Sequence, residues 1–340
     1  MNSDRRRATI KDIAEALNLS VSTVSRALQN NPRISKETTE EVKKMALSLD
    51  YSIHGPAAAL RTGQGNNIGV IVPRINRQFF SSLIGGIEQV LRINALNTFI
   101  YQTQESFENE QQGVQAMLNA GVDGLMISLS VETQAFDHIE RFMRSGRPVV
   151  FFDRCIEDST LSRVMIDDFQ AAYQITEHIL ANGCRKLVYL GGSEHLMMYR
   201  NRRKGFEQAL IDHHLDSPDA HIYENSLTRE KGYDITKRLI ETGQTPDAII
   251  SASDFSALGS ILCLKEAGIK IPDQVCVTGF ANELFSEVMD PSLTSIEQHA
   301  REIGMKAAEI MVRNIKGFSE TETVLIPTEL IIRQSSLRHR

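Results

Sequence analysis

The stretch Ala8–Leu28, ATIKDIAEALNLSVSTVSRAL, decides how the N-terminal part of this chain folds. Its first half has apolar side chains at helical spacing, namely Ile10, Ile13, Ala14 and Leu17. Thr9 comes directly before this apolar face and is a residue type that caps helices. The period breaks at Asn18, which predicts a helix of about two turns followed by a tight turn.

The second half of the stretch predicts another helix, Val21–Leu28, capped by Ser20. Its apolar positions, expected to face inward, are Val21, Val24 and Leu28. Its outward positions have hydroxyls, one guanidinium and no acid, and they are Ser22, Thr23, Ser25 and Arg26. Such a surface suits the DNA major groove, because small donors approach base edges and phosphates and an arginine grips guanine. A helical hairpin inside some core, with hydroxyls that only cap, is the alternative.

The whole string closely resembles the helix-turn-helix of the lac repressor family (LacI/GalR) of bacterial transcription regulators. The matching segments are Ala8–Ala14, Leu19–Ser20 and Thr23–Leu28. The resemblance implies a DNA-binding domain in which Ser22 and Arg26 read bases while other polar side chains hold phosphates. The DNA-contacting positions that it implies here are Thr9, Ser20, Val21, Ser22, Thr23, Ser25 and Arg26.

Residues 52–64, SIHGPAAALRTGQ, follow this domain. Composition alone favours a simple linker, because so short a segment is marginal as an isolated helix. The resemblance instead implies a hinge helix in which Leu60 wedges into the minor groove and Arg61 is the basic residue after it. Ile53 and Ala58 depart from the proline and arginine that are usual in the family, which implies fewer phosphate contacts or a helix that starts later, at Pro56.

Composition and charge fit a DNA-binding domain attached to a larger core. The 340 residues, 41% hydrophobic and 24% charged, are typical of a soluble globular protein with two or three domains. The net charge of −6 is uneven, because residues 1–61 have three more basic than acidic residues and the remainder has nine more acidic than basic ones. We therefore expect DNA binding by the N-terminal part and not by the bulk charge of the rest.

Targeting signals and cysteine usage favour a cytoplasmic protein. No apolar run is long enough to predict a membrane helix, and the start MNSDRRRATI lacks the apolar core of a secretory signal. The four cysteines are scattered without CxxC spacing, at Cys155, Cys184, Cys263 and Cys276. Free buried thiols in a reducing cytoplasm are favoured over disulfides in an exported protein.

From Asn67 onward, short apolar runs such as Ile68–Val72 and Val149–Phe152 alternate with helical segments. Runs that are apolar on both faces and separated by helices predict parallel sheets with helices on both sides. The pattern repeats after a break around residues 153–163, so we expect two similar lobes with a ligand cleft at the strand carboxyl ends. The family resemblance implies a core like that of type I periplasmic sugar-binding proteins.

The expected organisation has three parts: a helix-turn-helix domain at residues 1–51, a hinge helix or linker at 52–66, and an effector-binding core at 67–340. Within the core, we expect the first lobe to span about 67–163 and 295–324, and the second about 164–292 and 325–340. The chain ends at Arg340 without room for the leucine heptad that tetramerises some relatives. We therefore expect a homodimer bound to palindromic operator DNA.

Two sets of candidate ligand residues come from strand ends and from the family pattern. Phe79 and Phe80, in the predicted loop 73–81, match an aromatic that stacks on ligand in the family, although paired phenylalanines are more often core. Asp153 and Arg154 end the strand Val149–Phe152 and suit sugar hydroxyls, with a salt bridge between lobes as the alternative.

Further candidates rest on the family pattern. Arg202 matches the arginine of the RxxGF motif, against the alternative of a solvated helix start, and Asp254 matches an effector-proximal aspartate, against simple helix capping. Ala281 stands where the family commonly has an aspartate that binds ligand. Asn282 and Gln298 are the candidate substitutes.

The sequence shows no enzyme constellation. It lacks GxxxxGK[ST], GxGxxG after the first strand, HExxH and GxSxG. His213, His214 and His221 lack zinc-ligand spacing, so no metal and no cofactor are expected. The predicted function is a ligand-responsive repressor of sugar-utilisation genes, with sugars as the leading effector class and purine-like ligands second. The alternative is a sugar-binding α/β protein with no role on DNA, which would normally show an export signal or a phosphate loop.

Overall fold

The computed structural model describes residues 8–28, 30–51, 65–157, 160–215, 220–318 and 320–338. The chain divides into two compact units, residues 1–65 and 66–340. The predicted hinge segment, with Ile53, Pro56, Ala58, Leu60 and Arg61, lies outside the described residues. Among the residues that are described, no helix has the length and apolar character that crossing a bilayer requires.

The N-terminal unit contains three helices around a small core. They are α1 (Ile10–Ala16), α2 (Val21–Leu28) and α3 (Lys36–Ser48). Ser20 and Ser35 cap α2 and α3, because each side-chain oxygen accepts a hydrogen bond from the backbone N–H three residues later. The fully or nearly buried core residues are Ile13, Ala14, Val24, Ala27, Val42 and Ala46.

One expectation for α2 is wrong. Val21, predicted to face inward, is 43% exposed, whereas Val24 and Ala27 are fully buried. The inward face of α2 is therefore formed by Val24 and Ala27, with Leu28 packed against the same core. Val21 lies on the same exposed surface as Ser22.

The first lobe of the larger unit is built on a six-stranded parallel sheet in the order β11-β5-β4-β3-β1-β2. Its strands are β1 (Asn67–Val72), β2 (Asn97–Gln102), β3 (Gly124–Ile127), β4 (Val149–Phe152), β5 (Ser162–Ile166) and β11 (Thr323–Ile326). The inner strands β3 and β4 are buried along their whole length, as their continuous apolar runs predict. The helices of this lobe are α4 (Gln78–Ile93), α5 (Phe107–Ala120), α6 (Asp137–Met143) and α12 (Ala300–Ile315).

The second lobe has a four-stranded parallel sheet in the order β7-β6-β8-β9 and a short antiparallel pair, β10-β12. The strands are β6 (Leu187–Leu190), β7 (Ala220–Tyr223), β8 (Ala248–Ser251), β9 (Cys276–Thr278), β10 (Ser295–Glu297) and β12 (Glu329–Ile331). The helices are α7 (Asp168–Ala181), α8 (Met197–Asp212), α9 (Arg229–Glu241), α10 (Asp254–Glu266) and α11 (Phe285–Val288), and a 3₁₀ turn follows at Gln334–Ser336.

The strand pairing corrects the expected lobe boundaries. β5 pairs with β4 and β11 in the first-lobe sheet, although residues from 164 onward were expected in the second lobe. β10, expected in the first lobe, pairs with β12, and Thr294 beside it bridges to Thr278 of β9. The chain therefore crosses between lobes after β5, after β10 and after β11. The local sequence predicts that a segment is a strand, but which strand it pairs with depends on where the chain crosses between the lobes.

Candidate functional site

A cavity of about 360 Å³ lies between the two lobes. The loops that follow strands of both sheets line it, as the rule for open α/β sheets leads one to expect. Its aromatic walls are Phe79, Phe80, Tyr199, Phe255 and Phe280, and its cations are Arg74, Arg77, Arg154 and Arg202. Three acids, Glu105, Asp153 and Glu283, complete the charged lining.

Six of the eight predicted ligand residues line this cavity: Phe79, Phe80, Asp153, Arg154, Arg202 and Gln298. The two phenylalanines are not in a loop, as expected, but in the first turn of α4. Both are buried, and their rings meet edge to face with centroids 5.1 Å apart. They therefore belong to the core and to the cavity wall at once, although the sequence alone set a ligand-stacking role against a core role.

Arg154 is fixed in place by Glu105. Its Nη1 donates to Glu105 Oε2 at 2.5 Å and to the Leu129 carbonyl at 3.2 Å, and its Nη2 donates to Glu105 Oε1 at 3.2 Å. Burial alone would raise the pKa of Glu105, but the charge and hydrogen bonds of Arg154 outweigh it and bring that pKa below its ordinary value. Glu105 is therefore an ionised partner that orients the guanidinium, and the ion pair lies within the first lobe.

Asp153 lies beside this pair at the end of β4. It accepts a hydrogen bond from the Ser128 hydroxyl at 3.1 Å, and its carboxylate is 4.0 Å from Arg154 Nε. Burial raises the pKa of Asp153, and the positive charges of Arg154 and Arg202 offset part of this shift. Asp153 is thus available to accept a hydrogen bond from a ligand hydroxyl, or to donate one when protonated.

Arg202, on α8, is one of the most enclosed charges of the site, with 3% of the residue exposed. Its Nε donates to Asp168 Oδ1 at 2.7 Å and its Nη1 donates to the Ala252 carbonyl at 3.2 Å. Its guanidinium stacks 3.6 Å from the centre of the Phe280 ring. Within the described residues, Nη2 has no hydrogen-bond partner, so this nitrogen is free to donate to a ligand.

Asp168 is a buried residue that sequence reasoning missed. It is the first residue of α7 and does not line the cavity, but it balances the charge of Arg202 from behind. Burial raises its pKa to about 6, and Arg202 opposes that rise. No sequence signal pointed to it, because its neighbour Asp167 is the helix cap and Asp168 reads as a second acid in a first turn.

The position of Asp254 corrects the expectation of a ligand contact. Its Oδ1 accepts from the Ser295 hydroxyl at 2.6 Å, while its Oδ2 accepts from the Glu283 N–H at 2.7 Å and the Ser286 hydroxyl at 3.0 Å. Asp254 is 1% exposed and is not part of the cavity lining. Its carboxylate instead joins α10 to α11, to the residue Glu283 just before α11, and to β10, and the cap of α10 is Ser253.

Asn282 does not reach the cavity either, so it does not substitute there for the missing aspartate. Its Nδ2 donates to Glu297 Oε2 at 2.7 Å, and its Oδ1 accepts from Arg333 Nη2 at 2.8 Å. Ala281 does line the cavity, with a positive φ of 115°. Gln298 is therefore the one proposed substitute whose position fits.

Several lining residues were missed. Arg74 and Glu105 follow β1 and β2 by two or three residues, so the rule that selected Asp153 would have selected them too. Tyr199 and Phe255 lie inside helices, where the sequence offers no comparable signal.

In the N-terminal unit, the predicted DNA-contacting residues from Ser20 to Arg26 lie on α2 and its cap, whereas Thr9 precedes α1. The Ser20 hydroxyl is 2.8 Å from both the Ser22 and the Thr23 hydroxyls, and Arg26 is exposed. Thr9 donates from its N–H and its hydroxyl to Asp12, at 2.6 Å and 2.7 Å. Ser25 is half-buried. Leu60 and Arg61 lie outside the described residues.

Comparison with known proteins agrees with this architecture. Residues 9–53 match the family described as bacterial regulatory proteins, lacI family. Residues 65–334, most of the chain, match the description "periplasmic binding proteins and sugar binding domain of LacI family". The chain belongs to the LacI family. This LacI-family chain is a transcriptional repressor with a DNA-binding domain and an effector-binding domain, and not an enzyme.

Individual relatives match along their whole length. The NTD biosynthesis operon regulator NtdR of Bacillus subtilis (strain 168) is 28% identical over 330 residues, covering 96% of this chain and 99% of that protein. The HTH-type transcriptional repressor PurR of Actinobacillus pleuropneumoniae serotype 3 (strain JL03) is 27% identical over 331 residues, covering 96% and 98%.

A solved structure agrees with the fold. The crystal structure of the lac repressor dimer bound to operator and the anti-inducer ONPF aligns with a TM-score of 0.86 at 22% identity, covering 98% of this chain and 100% of that one. The predicted fold class, a helix-turn-helix domain joined to a two-lobe α/β core, is confirmed.

Proposed function

We propose that this LacI-family repressor binds a palindromic operator as a homodimer and changes its operator affinity when a sugar or sugar derivative binds between the core lobes. The observation that carries the proposal is the cavity of about 360 Å³ at the strand carboxyl ends of both sheets, in a chain with a helix-turn-helix domain. That volume is near the lower end of ligand cavities in proteins, which suits a small polar molecule.

The exposed side of α2 supports the DNA-binding role. Arg26 has no acidic neighbour on this helix, so its guanidinium is available for the O6 and N7 atoms of a guanine. The hydroxyls of Ser20 and Thr23 are at the helix start, where the helix dipole also favours a phosphate. In each half-site Ser22 and Arg26 read bases, and Thr9, Ser20, Thr23 and Ser25 hold phosphates.

The hinge and the cavity give the proposed coupling. In the family the hinge segment orders on operator DNA, and here Leu60 is its wedge and Arg61 the basic residue after it. A ligand between the lobes changes the angle between them and thereby the separation of the two hinges. By linkage, a ligand that changes operator affinity has its own affinity changed equally by the operator.

The test is selection of operator sites from a random double-stranded library by the wild-type protein and by Arg26→Ala. We expect the wild type to enrich a palindrome, and Arg26→Ala to lose roughly 1–3 kcal/mol of binding free energy on it with relaxed preference at one position per half-site. Lys44→Ala, which removes an exposed charge from α3, is the matched control and should keep the preference. An unchanged preference in Arg26→Ala would contradict the assigned role, and no enriched site would favour a sugar-binding protein without a DNA role.

A further inference from the structure

The cavity has more guanidinium groups than its carboxylates satisfy. Four arginines line it, against three acids. Glu105 is shared, because it binds Arg154 through both oxygens and also lies 3.7 Å from Arg74 Nε. Burial raises the pKa of both Asp153 and Glu283, which weakens them as counter-ions. Asp168, outside the lining, is the counter-ion of Arg202, so the arginine left without a close carboxylate among the described residues is Arg77.

Arg77 has no such counter-ion in the part of the chain that the structure describes. It precedes α4 directly, and its guanidinium lies 3.5 Å from the centre of the Phe255 ring on the other lobe. Among the described residues, its guanidinium makes no hydrogen bond and no ion pair, while its backbone carbonyl accepts from the Ser81 N–H. Burial and the charge of Arg74 both lower the pKa of Arg77, and Glu283 and Glu105 only partly offset them. A negative ligand would stabilise the charged form of this half-buried and incompletely neutralised guanidinium.

Glu283, the acid with the largest effect on the pKa of Arg77, makes no hydrogen bond to its guanidinium. Glu283 Oε2 instead accepts a hydrogen bond from the Gln78 N–H at 3.3 Å. This carboxylate therefore binds the backbone at the start of α4. Deeper in the cavity, Arg154 Nε and Arg202 Nη2 have no hydrogen-bond partner among the described residues, although Arg154 Nε lies 4.0 Å from Asp153. Guanidinium N–H groups without an acceptor thus occur both at Arg77 and deeper in the cavity, and a ligand oxyanion would supply acceptors for them.

We infer that the effector carries an oxyanion, a phosphate or a carboxylate, and that Arg77, assisted by Arg74, binds it. This inference rests on the proposed effector function and narrows the ligand class to sugar phosphates or sugar acids. Stacking on Phe255 holds the guanidinium plane while its edge N–H groups face the anion, the arrangement in which arginine binds phosphate or carboxylate with two parallel hydrogen bonds. The remainder of the ligand contacts Arg154, Arg202 and the aromatic walls.

The experiment uses inorganic phosphate as the probe, so it does not depend on identifying the effector. Thermal unfolding is followed in sodium phosphate and in sodium chloride of equal ionic strength, for the wild type, Arg77→Gln and Arg92→Gln. Arg92→Gln is the matched control, because Arg92 is on α4 and its guanidinium, among the described residues, pairs with Glu88 alone at the surface. Phosphate stabilises proteins generally by exclusion from their surface, so the comparison between variants isolates a specific site.

We expect phosphate to raise the unfolding midpoint of the wild type and of Arg92→Gln by about 2 °C more than that of Arg77→Gln. Glu283→Gln, which removes the nearest competing carboxylate, should show a phosphate-dependent rise at least as large as that of the wild type. An equal rise in Arg77→Gln and Arg92→Gln, or a lost rise in Glu283→Gln, would overturn the proposal.

The same assay separates the two sources of the anion. Gluconate and glucose 6-phosphate are compared with glucose, and a larger shift for one of the two anions identifies the carboxylate or the phosphoryl group as preferred. A larger shift with glucose than with either anion contradicts the inference. Because these measurements contain no DNA, their outcome is independent of the operator selection that tests the proposed function.

Discussion

At the scale of single residues, the site depends on a buried ion pair of which only one member, Arg202, lines the cavity. Asp168 is 2% exposed and Arg202 is 3% exposed, and their atoms meet at 2.7 Å. Removing one partner of such a pair leaves an uncompensated buried charge. Asp168 is therefore a positioning residue that, by binding Nε, holds the Arg202 guanidinium in the cavity lining.

The raised pKa of Asp168 predicts a pH dependence with a definite sign. The ordinary aspartate value of 3.8 applies to the unfolded chain, and burial raises the value in the folded chain to about 6. Between these values the folded protein keeps a proton that the unfolded chain has lost. The extra stability is therefore complete below about pH 4 and is lost as the pH rises through 6, by roughly 3 kcal/mol in total.

Asp168→Asn should remove this decline. Urea unfolding from pH 4 to pH 7 should show the free energy of unfolding of the variant, relative to the wild type, rising by up to roughly 3 kcal/mol. Asp167→Asn changes the exposed neighbouring cap and should leave the pH profile parallel to that of the wild type. Parallel profiles for Asp168→Asn itself would show that Asp168 does not titrate in this range.

At the scale of elements, helix contacts in the first lobe depend on glycine. α4 and α12 cross so closely that a Cβ on Gly86 would lie 2.2 Å from the Arg301 carbonyl oxygen. A Cβ on Gly304 would lie 2.1 Å from the Leu83 carbonyl oxygen. Because backbone cannot move aside as a flexible side chain does, any larger residue separates the helices. α12 reaches the first lobe from the second, so this contact fixes the returning chain beside the cavity.

Two neighbouring glycines give a matched test of this contact. Gly86→Ala should reduce the free energy of unfolding by roughly 1–3 kcal/mol, because the helices must move apart. Gly85→Ala, whose Cβ would meet only Arg301 Nη1 at 3.6 Å, should be neutral or raise it by about 0.5–1 kcal/mol through helix propensity. Urea unfolding of both variants checks this, and equal stabilities would mean that the crossing is not close.

At the scale of the whole molecule, exposed apolar side chains support the proposed dimer. Leu284 and Val288, at the two ends of α11, are 70% and 82% exposed. On the first lobe, Phe99 and Ile100 are about half exposed on β2, the edge strand of its sheet. Exposed apolar pairs of this kind are candidate protein contacts. A dimer formed through both lobes would transmit a change of lobe angle to both DNA-binding domains.

The double variant Leu284→Asp/Val288→Asp should therefore be monomeric in sedimentation velocity. Its affinity for a palindromic operator should fall by roughly 100-fold or more, because the second half-site is no longer bound intramolecularly. Ile211→Asp, an equally drastic change at an exposed residue of α8, should leave both the dimer and the affinity intact. A double variant that stays dimeric would place the interface elsewhere.

The sequence by itself determined the local elements and the family. Ala8–Leu28 specifies two helices through apolar spacing and caps, and the run Val149–Phe152 predicted β4 to the residue, because local periodicity and a continuous apolar run decide such elements. The strand-end rule also placed Asp153 and Arg154 at the cavity. These features depend on neighbours in the chain.

The tertiary structure alone decided the pairing of elements and the partners of charges. β5 pairs in the sheet of the first lobe. Asp254 accepts hydrogen bonds from Ser295 and Ser286, and Asp168 is the counter-ion of Arg202. The three hydrogen bonds join residues 32 to 41 positions apart, and β5 pairs with β11 from the far end of the chain, so no local pattern encodes these contacts. The desolvation that raises the pKa of Asp168 likewise exists only once the lobes have enclosed it.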